Sequence, residues 1–326
     1  MSALNCPACG HEAPHAVRRF SIADQHALLA PEDAELQRRL TAAALDASLE
    51  YELHRCPECG LEFVAPLRAP TPEWYRLLYS TRDLYPKKRW EFDQVLSHVG
   101  SDEPILEIGC GAGAFLDCCR RRGLSASGLD FSAGAVSQCR SRGLDASTLD
   151  LSFAPASNGA TRFRHIVGFH VLEHLERPGA LFDYAACCAL PEARLWLSVP
   201  SDRNPGRFFD QRDPLDEPPH HMTRWTAAAL EQLGVRHGWR LHEILYQPMP
   251  LRVAVWWISV CSHAYQSWKE AGRFRHRWAE RGFRAAQSPL AALRRLTSLR
   301  FLSGHAMLAQ FDPLPGPRPS GPTGNL

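Results

Sequence analysis

Three sets of residues in this chain have types and spacings that could do chemistry. Cys6-Pro7-Ala8-Cys9-Gly10 and Cys56-Pro57-Glu58-Cys59-Gly60 are one CPxCG knuckle written twice. Two thiolates at that spacing can grip one metal ion, and the glycine after each pair permits a tight turn that aims backbone N–H groups at sulfur. Four thiolates suit tetrahedral zinc, so Cys6, Cys9, Cys56 and Cys59 are the expected ligands of a structural zinc ion. The competing reading is a pair of unrelated turns or a redox dithiol; matched knuckles favour zinc. His11 and His54 lie beside the cysteines, but four thiolates already fill such a site.

The second set is Pro104-Ile105-Leu106-Glu107-Ile108-Gly109-Cys110-Gly111-Ala112-Gly113-Ala114-Phe115-Leu116. Ile105 to Ile108 has the apolar density of a buried parallel strand. Three glycines at alternate positions let the backbone turn and approach a ligand closely. Ala112 to Arg122 reads as the following helix, with Gly123 at its C-terminus. A strand, a glycine loop and a helix N-terminus together make a nucleotide-type cofactor site. Charge discriminates between cofactors. A nicotinamide dinucleotide brings an anionic pyrophosphate and its usual fingerprint is GxGxxG. Here the pattern is GxGxG with Glu107 just before it, and a fixed carboxylate repels a pyrophosphate. It attracts a ligand carrying an ammonium and a sulfonium, as S-adenosylmethionine does. Asp130 follows about 20 residues on, the usual distance for an acid that binds a ribose.

With Glu107, GxGxG and Asp130 in register, the segment from about Glu103 to Gln247 resembles the class I S-adenosylmethionine-dependent methyltransferases. Leu106 to Gly113 is similar to their first motif, Leu129-Asp130 to the second-strand acid, Leu149-Asp150-Leu151 to the adenine-contacting turn, and His170-Val171-Leu172-Glu173-His174-Leu175 to the fourth-strand motif. The resemblance implies a doubly wound α/β fold, with a mostly parallel, Rossmann-like seven-stranded sheet. It also implies that Glu107, Gly109, Cys110, Gly111, Gly113, Asp130, Phe131, Asp150, Leu151 and His170 surround the cofactor. The ribose would lie on Asp130 and the adenine near Phe131 and Asp150. Family members usually carry an acid where this chain has Arg164.

The third set is histidine. Methyl transfer is an in-line displacement at an already activated carbon, so the protein mainly aligns the partners and excludes water. A hydroxyl acceptor also needs its proton removed, best by a group titrating near neutral pH. His170 and His174 follow the fourth strand, and His220 and His221 follow the fifth. Both places lie at the carboxyl edge of such a sheet, where ligands bind. His174 is the first candidate for the base, His221 the second, and His170 belongs to the same catalytic set. The alternative is that these imidazoles bond loop backbone and shape the pocket. In ubiquinone-pathway O-methyltransferases, which this region resembles, an ExxEH run can hold a divalent metal; here it reads His170-Val171-Leu172-Glu173-His174. The same letters match the HxxEH helix of zinc proteases, but that reading fails because the run closes a parallel strand beside a cofactor site.

Stepping outward, these residues need a module around the knuckles and an alternating sheet. The 326 residues carry a formal net charge of +2, so the chain as a whole is no obvious polyanion binder. The first ten residues have no apolar run of the kind a secretory signal needs, and eleven cysteines without one imply reduced thiols, hence a cytoplasmic expectation. The sequence predicts a zinc-ribbon-like module over 1–69, whose long gap between knuckles holds a helix over Glu35 to Leu49. Linker helices over 70–100 follow, then the methyltransferase core over 101–250. The last core strand is delayed to 303–312 by an insertion over 251–302, and 313–326 is a proline- and glycine-rich tail expected to be disordered. Residues 251–300 hold ten Lys or Arg against two acids, a net +8, behind an apolar opening with Trp256 and Trp257. That composition suits peripheral contact with anionic lipid headgroups or a lid over an anionic acceptor. The expected acceptor is a small molecule, lipid or glycan methylated on oxygen. The rival is RNA gripped by the zinc module; residues 1–69 contain no lysine, which argues against a nucleic-acid clamp.

Overall fold

A computed structural model of the chain describes residues 4–12, 14–44, 50–81, 88–151, 162–204, 213–249 and 303–315. The predicted insertion over 251–302 and the tail beyond 315 lie outside the described residues. Two compact units are distinguished: one of residues 1–200, 214–245 and 308–326, the other of 201–213 and 246–307. In the smaller unit, the Ser201 N–H donates to His305 O at 2.8 Å and the Arg203 guanidinium lies over the Tyr246 ring.

The larger unit contains two sheets. The N-terminal one comprises β1 (His15–Ser21), β2 (Glu50–Arg55), β3 (Glu62–Ala65) and β9 (Thr223–Arg224), in that order, each pair antiparallel. Between β1 and β2 lie α1 (Ile22–Leu29) and α2 (Ala34–Ala42). The gap between the knuckles is thus helical, with two helices in place of the one sought over Glu35 to Leu49, of which residues 45–49 lie outside the described residues. Ser21 caps α1 by accepting the Asp24 N–H and Asp33 caps α2 by accepting the Leu36 N–H, and α2 ends at Ala42. The first cap starts a helix that an apolar-periodicity argument beginning at Glu35 does not reach.

The second sheet has seven strands in the order β10-β11-β8-β7-β4-β5-β6. These are β4 (Ile105–Ile108), β5 (Ala126–Asp130), β6 (Asp145–Thr148), β7 (Phe163–Phe169), β8 (Ala189–Pro200), β10 (Trp239–Tyr246) and β11 (Ala306–Pro313). The pairs β4–β5, β4–β7, β5–β6 and β7–β8 are parallel. From β4 the chain runs outward through β5 and β6, then returns to β7 on the other side. The carboxyl ends of β4 and β7 thus flank the point where strand order reverses, which is where an open α/β sheet binds ligands. The strand predicted before the tail is β11, and it stands between β10 and β8.

The helices are α3 (Pro72–Thr81), α4 (Trp90–Leu96), α5 (Ala114–Arg121), α6 (Ala133–Ser141), α7 (Pro178–Cys188) and α8 (Ala227–Arg236). Alternation of apolar residues decides what each buries. Phe92, Val95 and Leu96 of α4 join Phe115 and Cys119 of α5 against Ile105, Val167, Phe169 and Trp196 of the sheet. Burial of side chains this size stabilises by roughly 1.5–3 kcal/mol each. Helix α5 stops where predicted: Gly123 has φ +71°, and the Leu124 N–H reaches back to Cys119 O.

Candidate functional site

Zinc-type geometry is built at the knuckles. Cys6 Sγ and Cys59 Sγ stand 3.6 Å apart, and Cys9 Sγ and Cys56 Sγ 3.5 Å. All four sulfurs lie within 4.8 Å of one another. Four sulfurs bonded at 2.3 Å around a tetrahedral ion stand about 3.8 Å apart, so the residues fit the group. Helix α8 spans both knuckles. Its N-cap Thr226 donates from Oγ1 to Cys59 O at 2.6 Å, and Arg236 in its last turn donates to Ala8 O at 2.8 Å.

The glycine loop leaves β4 at Glu107-Ile108 and turns through Gly109, Gly111 and Gly113 at φ +76°, +50° and +79°. A Cβ on Gly109 would sit 2.3 Å from Val171 Cγ2, so the loop and the end of β7 touch at a distance only glycine allows. Cys110 is buried beneath the loop and packs with Leu116, Val136 and Cys139. At the end of β5, Asp130 accepts the Gly111 N–H and the Ser132 N–H, each at 2.8 Å, and is thereby fixed facing the loop. Burial raises its pKa, opposed by those two N–H groups. Glu107 is 3 % exposed and its Oε2 is buried with no hydrogen-bond partner; burial first and the neighbouring Asp130 charge second push its pKa well up. Two desolvated carboxylates with an unpaired oxygen fit a ligand bearing ammonium and sulfonium charges and reject a pyrophosphate. Phe131 is 48 % exposed at the strand end, its ring edge-on to Tyr75 at 5.8 Å. Asp150 is exposed and Leu151 half-buried in the turn after β6, which the Leu149 N–H ties to Asp130 O at 3.0 Å. Arg89, at the start of α4, acts electrostatically on Glu107, Glu91 and His170.

At the end of β7, His170 has φ +55°, an uncommon conformation for a side-chain-bearing residue. Its Nε2 lies 3.0 Å from Glu91 Oε1 and its Nδ1 3.2 Å from Glu173 Oε1. Burial disfavours the imidazolium, but the two carboxylates outweigh it and raise the pKa. With both nitrogens facing carboxylates, His170 is suited to holding Glu91 and Glu173 in place and not to taking a proton from an acceptor. Glu91 lies on α4 among aromatic core residues; it offered no sequence signal beyond an acid in an apolar run.

The structure gathers the other predicted histidines. His174 Nδ1 lies 2.6 Å from His220 O, His220 Nδ1 lies 2.7 Å from Leu215 O, and His221 Nδ1 lies 3.0 Å from Asp216 Oδ1. The His174 ring is 4.7 Å from that of His220 and 4.8 Å from that of His221. Burial, then the His220 and His221 charges, lower His174 well below the ordinary histidine value; burial first lowers His221 to about 3. Both are therefore neutral at physiological pH. Tyr75 of α3 packs edge-on against His174 at 5.9 Å, and its buried hydroxyl has no hydrogen-bond partner. Tyr75 and Asp216 are missed by sequence reasoning because one reads as helix packing and the other as a loop acid. Among the described residues, the side chains whose ligand atoms converge form two groups, the four cysteines and His174 with His220 and His221. The HxxEH run supplies His174 to one of them, while His170 and Glu173 bond each other.

An open parallel sheet with a glycine loop after its first strand and an acid closing the next defines a nucleoside-cofactor enzyme of the Rossmann-like class. Residues 83–244 match the family described as methyltransferase domain. Taken with the loop, Glu107 and Asp130, this makes the chain an S-adenosylmethionine-dependent methyltransferase. Solved structures with a similar fold include a SAM-dependent methyltransferase from Archaeoglobus fulgidus, at 15 % identity, 73 % of this chain and 99 % of that one, TM-score 0.49. Magnesium protoporphyrin IX methyltransferase from Synechocystis PCC 6803 with bound SAH follows at 13 % identity, 68 % and 80 %, TM-score 0.41. A third is a sarcosine dimethylglycine methyltransferase homologue from Galdieria sulphuraria at 13 %, 69 % and 84 %, TM-score 0.43. No curated protein matches this sequence.

Proposed function

We propose that the enzyme methylates an oxygen of a small-molecule, lipid or glycan acceptor. The observation that carries this reading is the cluster of His174, His220 and His221 at the carboxyl edge of the sheet, beside Tyr75 and Phe131. Bound S-adenosylmethionine supplies an electrophilic methyl carbon on a sulfonium. Glu107 and Asp130 hold its cationic and ribose ends, the glycine loop admits its methionine backbone, and Phe131 offers an aromatic surface to its adenine. The acceptor hydroxyl must lose a proton. With Nδ1 of His174 donating to His220 O, its Nε2 is the nitrogen left to receive one. Incubation with methyl-labelled cofactor and fractionated extract tests the assignment: label is expected in lipid, glycan or small-molecule fractions, and label in RNA alone overturns it.

Structural zinc at Cys6, Cys9, Cys56 and Cys59 belongs to the same reading, supported by the sulfur spacings. Elemental analysis is expected to find it in the purified chain, and Cys56→Ala is expected to lose it with a lowered melting temperature. Residues 251–300, outside the described part, are proposed from charge alone to touch anionic headgroups.

A further inference from the structure

The three clustered imidazoles share a wiring that proton transfer does not require. Each ring presents Nδ1 to an oxygen that can only accept: the carbonyl of His220 at 2.6 Å, the carbonyl of Leu215 at 2.7 Å and the carboxylate of Asp216 at 3.0 Å. Three unrelated acceptors thus impose one tautomer, with the proton on Nδ1 and the lone pair on Nε2. One ring nitrogen from each residue lies within 4.8 Å of the other two. Metal-binding histidines are held in this manner, the remote N–H anchored on a carbonyl or carboxylate and the other nitrogen presented. Glu173 supplies a separate observation. It is 0 % exposed, its Oε1 is 4.0 Å from His221 Nε2, and its Oε2 is buried with no hydrogen-bond partner. His170 already takes Glu173 Oε1, so it is the second oxygen alone that stays buried without a partner, which is costly unless a cation comes near.

We propose that His174, His220 and His221 bind a divalent first-row metal ion, zinc by ligand type, as a second metal distinct from the thiolate centre. Three imidazole nitrogens suit zinc and leave a coordination position open. Nitrogens around a tetrahedral zinc stand about 3.3 Å apart, so from a spread within 4.8 Å the rings close by at most about 1.5 Å. His220 exchanges a 3.3 Å contact with the Tyr79 hydroxyl for the ion. The role, though not the binding, rests on the oxygen-methylation reading above. An ion beside the acceptor lowers the pKa of a hydroxyl, so the proton leaves to solvent. The O–CH3 bond then forms as the S–CH3 bond breaks, with the electron pair going to sulfur. In this scheme Nε2 of His174 is a ligand and the ion takes over from it the activation of the hydroxyl, so no histidine needs to titrate.

The test is metal stoichiometry in the full chain purified from cobalt-supplemented culture. About two cobalt ions per chain are expected, one with intense thiolate-to-metal absorption and one with ligand-field bands alone. His174→Gln and His221→Asn, made separately, are each expected to lower the content from about two to about one with the thiolate absorption unchanged. Cys56→Ala is expected to do the converse, losing the thiolate absorption and keeping the second ion. One ion per chain with full thiolate absorption in the parent protein, or two ions retained in both histidine variants, overturns the proposal. Label transfer separates this from the functional reading. Transfer with one ion per chain removes the metal alone, and two ions with no transfer to any acceptor removes the methylation assignment alone.

Discussion

Asp130 fixes the loop by accepting the Gly111 and Ser132 N–H groups, and in the proposed function the same carboxylate binds the ribose. Replacing it with alanine removes a buried charged hydrogen-bond partner, so cofactor binding is expected to weaken by about 1.5–3 kcal/mol, roughly 10- to 150-fold. Calorimetry in which Asp130→Ala binds as tightly as the parent would falsify the assignment. His174→Ala is expected to lower turnover by about 10²–10⁴-fold with cofactor affinity kept. Unchanged turnover across the pH range moves acceptor activation away from this cluster. At this scale the residues legible in the sequence were those whose chemistry is local. The cysteine pairs, the glycines and the Glu107–Asp130 pairing each announce themselves by spacing. Glu91, Tyr75 and Asp216 did not, because each acquires meaning only from a partner far along the chain: His170, His174 and His221. His170 was legible as a candidate, but its two carboxylate partners were not, since Glu91 and Glu173 come from different elements.

Among the elements, α1, α2 and α3 are joined by a buried chain of hydrogen bonds. Trp74 donates from Nε1 to His26 Nε2 at 2.9 Å, His26 Nδ1 lies 2.8 Å from Thr41 Oγ1, and Thr41 donates to Gln37 O. An indole can only donate, so His26 must be neutral with its lone pair on Nε2. Burial lowers its pKa to about 4. The folded value lies below the unfolded one near 6.5, so the unfolded chain binds the proton first and stability falls as pH drops from about 6.5 to about 4. By pH 5 the expected loss is on the order of 2 kcal/mol. Urea unfolding at pH 7 and pH 5 measures it. His26→Gln is expected to flatten the difference, and an equal slope in parent and variant assigns the acid lability elsewhere. These helices show where pattern reading stops. Helix α3 and strands β4, β5 and β7 followed from apolar runs and glycine stops, whereas α1 is short and announced mainly by its cap at Ser21.

At the scale of the whole molecule, charge is unevenly spread: residues 251–300 carry +8 and the remainder of the chain −6. Each basic residue near an anionic bilayer contributes about 1 kcal/mol, so such a cluster is expected to sediment with vesicles rich in phosphatidylserine and not with neutral ones. Equal and negligible sedimentation with both excludes lipid contact. The alternation of strands and helices made a doubly wound sheet legible in advance, and the resemblance to the methyltransferases supplied its count of seven strands. The closing of the N-terminal sheet by Thr223–Arg224 was not, because a two-residue strand has no periodicity to read. That pairing has a consequence during synthesis. At roughly 5–20 residues per second, β3 leaves the ribosome about 10–30 s before β9 is made. For that interval the nascent chain exposes an unpaired strand edge containing Phe63 and Val64, both buried in the finished protein. The N-terminal module therefore completes itself only after most of the enzyme exists. Expressed on its own, it would keep that edge open and be prone to self-association.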